Sequence, residues 1–168
     1  MGQLISRSET IPPMPFSFDF VPVMAGAAFE DFRRLVIPNA IIASLCVLWP
    51  LHLAAASSFN LIGSFGAAGC AVAVFLAGAM LYSRGLIGGG DVKLLAAATL
   101  WAGPGATPAL LIVTAVLGGL LTLVLLFCAM LRATFNGANA AAVSSLPVPY
   151  GAAIAAAAMI VILPPNLS

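Results

Sequence analysis

Asp91 directly follows Gly88, Gly89 and Gly90 between long apolar stretches. A carboxylate among apolar residues of a membrane segment is costly, so it marks a functional position by default. The glycines in front of it let the backbone bend and approach other groups closely. Two neighbouring carboxylates share one proton, so that one can activate water while the other polarises a carbonyl, as in aspartic proteases. Such chemistry requires a second acid.

Asp31 is the strongest partner for Asp91 among the five acidic residues of the chain. Each of the two lies beside the end of an apolar stretch, and in a helical bundle these ends can be neighbours. Asp19 and Glu30 remain alternatives as the second acid, and Asp19 ranks last because we expect it in the outer half of the first span. The sequence therefore predicts an Asp31–Asp91 pair.

Both acids also have a purely structural interpretation. Asp91 could simply cap the helix that follows it, a common role of aspartate that is compatible with catalysis. Asp31 could be an interfacial charge that Arg33 or Arg34 neutralises. Lys93 lies two residues after Asp91 and points to a different helix face, so its expected role is topology or anchoring.

The composition indicates an integral membrane protein in contact with the lipid bilayer. The chain is 62% hydrophobic and 7% charged, whereas soluble domains are roughly 25% charged. A net charge of +1 gives no basic surface for nucleic acid. His52 is the only histidine and the three cysteines stand singly, so we predict no metal site and no cofactor.

Hydropathy predicts an all-α fold: a polytopic membrane protein of about six transmembrane helices in one bundle, after a flexible tail over 1–15. The predicted spans are 16–30, 38–56, 61–82, 91–103, 108–131 and 148–163. The first is interpreted as an imperfect membrane helix and not as a cleaved signal peptide. A helix over 91–103 is only about 18 Å long, whereas the core of a bilayer is roughly 30 Å thick. If this helix ends at the far surface at Pro104, Asp91 lies below the near surface. We therefore predict a water-filled cavity that reaches into the membrane at the glycine loop.

The basic residues predict the orientation of these spans. Five of the six fall on one side of the predicted membrane: Arg33, Arg34, Arg84, Lys93 and Arg132. The positive-inside rule makes that side cytoplasmic and puts both termini outside. Asp31 and Asp91 then lie on the same, cytoplasmic side.

Three blocks of the sequence resemble type IV prepilin peptidases, a family of GxGD membrane aspartic proteases. Residues 88–94, Gly-Gly-Gly-Asp-Val-Lys-Leu, resemble the GxGD block of that family. The segment from Asp31 to Pro38 and Asn39 resembles the block with its first aspartate. Pro149-Tyr150-Gly151 resembles a third block at the start of the last helix. The layout of the spans is similar over nearly the whole chain.

The resemblance implies that Asp31 and Asp91 are the catalytic pair and that Gly88 and Gly90 shape the loop. The implied substrate is a prepilin-like protein whose basic leader is removed at the cytoplasmic face of the bacterial inner membrane, with pilus assembly machinery as a possible partner. The segment with paired cysteines that larger members carry is not found between the first two spans, so no N-methyltransferase activity is expected. This short form is similar to the peptidases of tight-adherence (Flp) pili. The chain departs from the family pattern in its first span, which Asp19 and Pro22 interrupt.

Two other functions are kept as alternatives. A non-catalytic membrane subunit of a pilus or secretion machine would use the same scaffold, although the intact acids argue against it. A small ion-coupled transporter would use Asp91 as its ion site. No inverted repeat is visible, and both acids lie toward one side instead of the midplane.

Overall fold

The computed structural model describes residues 16–34, 37–55, 61–136 and 149–163. These residues form five helices and no strand: α1 (Phe16–Arg34), α2 (Asn39–Ala55), α3 (Leu61–Ser83), α4 (Gly89–Asn136) and α5 (Tyr150–Ile162). The predicted all-helical fold is confirmed. The predicted tail over 1–15 lies outside the described residues.

The predicted count of six spans is not supported among the described residues, which form five helices, and the fourth and fifth predicted spans are two segments of α4 joined at a kink. The predicted break does occur at Gly103, whose φ of 69° and ψ of 175° are not helical. Pro104 follows at once, and proline suits the first position of a helical segment. The chain therefore kinks and resumes its helix without a loop.

Helix α1 also differs from the prediction, because it continues past residue 30 to Arg34. The segment that starts at Asp31, which follows the first predicted span, is the last turn of this helix. Arg33 and Arg34 suit that place, since cations interact favourably with the C-terminal end of a helix dipole. Asp31 is consequently held on a regular helix.

Among the described residues, two helices are long and apolar enough to cross a membrane: Leu61–Ser83 and the Gly89–Leu131 part of α4. Only 11% of the most apolar stretch of each is buried, unlike the core helix of a soluble protein. Large apolar side chains point outward from them, among them Ile62 at 85% exposure and Phe65 at 74%. Exposed apolar surface of this extent fits a membrane protein.

The core lies where α1, α2, α5 and the first part of α4 meet. The rings of Phe20 and Trp101 pack with centroids 5.1 Å apart, and Trp101 Nε1 donates a hydrogen bond to the Leu45 carbonyl at 3.0 Å. Helix α5 turns a buried alanine-rich face toward its neighbours. Small side chains let helix backbones approach closely, so α5 packs tightly against both α1 and α4.

Candidate active site

Asp31 lies at the junction of α1 and α5, and it is 4% exposed. Its Oδ2 accepts a hydrogen bond from the backbone N–H of Ala152 at 3.0 Å, and the N–H of Gly151 donates to the same carboxylate. These N–H groups belong to the first turn of α5, where backbone donors have no partner within the helix. The N-terminus of α5 therefore holds the Asp31 carboxylate in place.

Burial raises the pKa of the Asp31 carboxyl above its ordinary value, although the two backbone hydrogen bonds act in the opposite direction. The predicted alternative of neutralisation by arginine does not match the structure. Arg34 Nε instead pairs with Glu30 Oε2 at 3.3 Å. The Arg33 guanidinium lies over the Phe29 ring, 5.3 Å from its centroid. In the part of the chain that the structure describes, Asp31 forms no ion pair.

Asp91 is the third residue of α4, and its carboxylate accepts a hydrogen bond from the Gly88 backbone N–H. The helix begins there, since the Val92 N–H donates to the Gly88 carbonyl at 3.1 Å. An acid that reaches back from the third helical position to the residue before the helix is the carboxylate half of a capping box. Asp91 thus does cap α4. This hydrogen bond uses one of about four lone-pair sites, so the carboxylate keeps capacity for further chemistry.

The fold brings Asp31 and Asp91 close enough for their negative charges to repel each other. Ile37, in the connection between α1 and α2, packs between the two acidic segments. A Cβ added to Gly90 would lie 3.5 Å from Ile37 Cβ, and one added to Gly151 would lie 2.7 Å from Ile37 Cδ1. Four helix ends therefore meet around this isoleucine: the end of α1 and the starts of α2, α4 and α5.

The three glycines before Asp91 provide close approach instead of unusual backbone angles. A Cβ on Gly88 would come within 2.7 Å of Asp91 Oδ2, and a Cβ on Gly89 would lie 3.3 Å from the Tyr82 ring. Among the described residues, positive φ occurs at Gly85 and at the kink glycine of α4, and not in this triplet. The expected bend therefore lies earlier in the loop than the sequence analysis placed it.

Gly85 ends α3 in a Schellman motif, which the sequence analysis missed. Its N–H donates to the Tyr82 carbonyl at 2.8 Å, and the Leu86 N–H donates to the Leu81 carbonyl at 3.1 Å. This pair of hydrogen bonds requires the left-handed conformation that glycine adopts most readily. A glycine directly after a long apolar helix, as in Tyr82-Ser83-Arg84-Gly85, was the signal that could have found it.

The other polar and proline residues of the three family-like blocks do not form one cluster. Lys93 Nζ donates to Asn39 Oδ1 at 3.2 Å, linking the first turns of α4 and α2. The Tyr150 hydroxyl lies within hydrogen-bond distance of Thr122 Oγ1, at 3.1 Å. Pro38 and Pro149 immediately precede α2 and α5. Their positions correspond to helix starts, as the sequence analysis expected.

A cavity of about 420 Å³ lies between α3, α4 and α5, and Asp91 forms part of its wall. Most of its lining is apolar, with Gly78, Leu95 and Ile154 among the residues that face it. The predicted cavity at the glycine loop thus has a counterpart, but with an apolar lining where a water-filled one was expected. Tyr150 joins Asp91 as a polar residue of the wall.

The described part of the chain contains no cluster of potential metal ligands. No group of three or more histidine, cysteine, aspartate or glutamate residues occurs there. Cys46, Cys70 and Cys128 are all free.

Comparison with curated proteins and with solved structures gave no match. A family model described as the type IV leader peptidase family matches residues 19–123, which is more than half of the chain. The matched region includes Asp31, the glycine triplet and Asp91, and it ends before Pro149-Tyr150-Gly151. The chain therefore belongs to the type IV leader peptidase family.

Proposed function

We propose that this protein is an intramembrane aspartic endopeptidase that removes the basic leader of prepilin-like proteins, with Asp31 and Asp91 as its catalytic pair. The observation that carries the proposal is the meeting of these two acids at four helix ends. Asp31 is buried there without an ion-pair partner among the described residues, and Asp91 lies close enough to repel it. Membership of the leader peptidase family supports this substrate class.

The proposed mechanism uses one proton shared between the two carboxyl groups. Their titrations belong to the pair, since two close carboxylates cannot both ionise at low cost. The ionised group takes a proton from a water molecule, whose oxygen attacks the scissile carbonyl carbon while the protonated group donates to the carbonyl oxygen. Collapse of the tetrahedral intermediate then expels the amine, which receives a proton from the pair.

The proposed setting is the bacterial inner membrane, with the catalytic helix ends on the cytoplasmic side and both termini outside. The distribution of basic residues supports this orientation, because Arg33, Arg34, Arg84 and Lys93 lie at or near the helix ends around the two acids. The brevity of the α1–α2 connection supports the short, tight-adherence type without N-methylation. Pilus assembly machinery is the proposed partner system.

The proposal is tested by co-expression with candidate prepilins from the same genome, with the mass of each prepilin as the readout. We expect a loss of mass equal to the leader, abolished in Asp31→Asn and in Asp91→Asn. Loss of a catalytic residue that acts as part of a unit lowers turnover by about 10⁴-fold or more. Glu30→Gln is the matched control, because Glu30 is an acid next to Asp31 that pairs with Arg34 on the surface.

Cleavage at the wild-type rate by either aspartate variant would contradict the role given to that residue. A purified protein that binds prepilin but never shortens it would instead be a non-catalytic subunit of the pilus machine.

A further inference from the structure

Thr114 differs from the other threonines of α4 whose side chains the structure describes. Thr99, Thr107 and Thr122 each donate to the carbonyl four residues earlier, at 2.8, 2.6 and 2.8 Å. The Thr114 hydroxyl is buried and has no hydrogen-bond partner among the described residues. A buried polar group without a partner lowers stability and calls for an explanation, such as a ligand that supplies the missing partner.

Thr114 lies in the wall of the cavity that Asp91 also lines. The volume of this cavity, about 420 Å³, falls within the roughly 300–1,000 Å³ of typical ligand sites. It is too small for a whole helix but can hold one or two large side chains. Its apolar lining suits a hydrocarbon or aromatic group, and its contact with Asp91 places that group beside the proposed reaction centre.

We propose that this cavity is a substrate subsite, which holds an apolar side chain next to the scissile bond while Thr114 donates a hydrogen bond to a peptide carbonyl of the same segment. The inference rests on the proposed function. A peptide segment that enters apolar surroundings brings backbone carbonyls that require donors. A lipid acyl chain would fill the same space but would give the Thr114 hydroxyl no acceptor, so the unpartnered hydroxyl favours a peptide.

Gly119 offers a way to narrow the cavity without disturbing the surrounding helices. It lines the cavity, and a Cβ added there would meet no atom within 4 Å. Gly119→Leu therefore fills open space. Gly69 is the matched control: it is a helical glycine of α3 with equally open surroundings, and it does not line this cavity.

The experiment compares kcat/KM for prepilin substrates that differ only in the apolar residue flanking the scissile bond: alanine, leucine or phenylalanine. In an apolar pocket one methylene changes discrimination by about 10- to 200-fold. We expect the wild type to prefer the larger residues and Gly119→Leu to reverse that preference. Gly69→Leu should keep the wild-type order of substrates.

Thr114→Val removes the hydroxyl at constant shape and separates a substrate role from a mere packing defect. We expect kcat/KM to fall by about three- to tenfold for every substrate, the range for loss of one hydrogen bond. We expect the unfolding temperature to stay the same or rise, because the variant no longer buries an unpartnered hydroxyl. Thr99→Val, which removes a bonded hydroxyl outside the cavity, should lower stability and leave kcat/KM unchanged.

The subsite is refuted, while the proposed function stands, if the wild type cleaves through both aspartates but neither Gly119→Leu nor Thr114→Val alters kcat/KM. The subsite is also refuted if either variant loses kcat/KM equally for all three substrates and has a lower unfolding temperature, since this combination indicates damaged packing. A lipid found in the wild type and lost in Gly119→Leu, with unchanged substrate preference, assigns the cavity to an acyl chain. If the wild type cleaves no prepilin at all, both proposals fail.

Discussion

The Asp31 carboxylate accepts a hydrogen bond from the Ala152 backbone N–H at 3.0 Å, which joins residues 121 positions apart. This contact fixes the end of α1 against the start of α5. A helix N-terminus offers unpaired N–H groups and a partial positive charge, so it stabilises a carboxylate without a basic side chain. The acid can thus be buried beside Asp91 with no cation that would compete for its negative charge.

Gly151→Ala should displace the Asp31 carboxylate. A Cβ at this position would lie 2.9 Å from Asp31 Cγ and Oδ2 and 2.7 Å from Ile37 Cδ1, distances that real Cβ atoms essentially never show. Overpacking of this kind costs about 1–3 kcal/mol of unfolding free energy, and a displacement of about 1 Å can cost 10²-fold in rate. We expect kcat/KM to fall by that order when prepilin cleavage is measured in detergent.

Gly69→Ala is the control for Gly151→Ala, because its Cβ would meet nothing within 4 Å. It should be neutral or slightly stabilising, since alanine favours a helix over glycine. Equal activity of the two variants would show that Gly151 does not confine Asp31.

The three glycines before Asp91 should differ in their tolerance of alanine. Gly88→Ala should be the most harmful, because its Cβ would meet Asp91 Oδ2 at 2.7 Å and push the carboxylate out of position. Gly89→Ala should be intermediate, since its neighbour is the ring of the exposed Tyr82 side chain, which can move. Gly90→Ala should be mildest, because 3.5 Å to Ile37 Cβ is ordinary contact.

Cleavage rates of the three variants, with unfolding temperatures measured in parallel, check this order. We expect a fall of about 10²-fold for Gly88→Ala, as for a misplaced catalytic group, and less than about tenfold for Gly90→Ala. If Gly90→Ala proved the worst of the three, close approach would not explain the triplet.

Asp31→Asn should be more stable than the wild type at neutral pH. Burial raises the pKa of Asp31 above the ordinary value of 3.8, so the native state binds this proton more tightly than the unfolded chain does. The unfolding free energy of the wild type therefore falls as pH rises from about 3.8 through the raised native pKa. The asparagine variant has no such titration, and its advantage should grow over that pH range and then level off.

Unfolding temperatures of the two proteins in detergent, measured from pH 3 to pH 8, give the result directly. A difference that stayed constant over this range would show that burial does not shift the Asp31 titration. If the stability advantage of Asp31→Asn shrank with rising pH, the native pKa of Asp31 would lie below its ordinary value. The hydrogen bonds from Ala152 and Gly151 would then outweigh burial.

The sequence predicted an all-helical fold and singled out Asp31 and Asp91 because both signals are local. The catalytic role of the two acids stays a prediction. Apolar stretches and their charged ends define helices, and an acid behind glycines stands out in any apolar chain. The meeting of Asp31 with the start of α5 could not be predicted in this way, since nothing near Ala152 marks its N–H as a donor to a distant residue. Ile37 was missed for the same reason: an apolar residue before Pro38 carries no sign that two glycines will pack against it.

The predicted count of six spans depended on a helix end at Gly103, and the sequence alone does not decide whether a helix ends or kinks there. Gly-Pro-Gly can end a helix or only kink it, and the outcome depends on whether the chain after Pro104 packs back as a helix at once. The unpartnered Thr114 was equally hidden, because most helical threonines satisfy their hydroxyl on the preceding turn.

The hydrogen bond between Lys93 and Asn39 should contribute to stability more than to catalysis. Both side chains are exposed and the donor–acceptor distance is 3.2 Å. We expect a double-mutant cycle of Lys93→Met and Asn39→Ala to give a coupling of about 0.5–1.5 kcal/mol in unfolding free energy. Cleavage by Lys93→Met should stay within about threefold of the wild type, an effect below 1 kcal/mol. A loss of 10²-fold or more would require Lys93 to contact the substrate or the acids directly.

Gly103→Ala should destabilise the kink that gives α4 its two directions. Its φ of 69° and ψ of 175° belong to a region that is essentially reserved for glycine, and another residue there costs about 1–3 kcal/mol. Gly105→Ala is the matched control two residues later, where a Cβ meets nothing within 4 Å and the backbone is helical. It should stabilise the protein by about 0.5–1 kcal/mol, the usual gain of alanine over glycine in a helix. Thermal unfolding of both variants in detergent is the measurement. If Gly103→Ala were as stable as Gly105→Ala, α4 would run straight through this position. The cavity that α3, α5 and the two segments of α4 enclose would then lack the shape on which the Thr114 subsite depends.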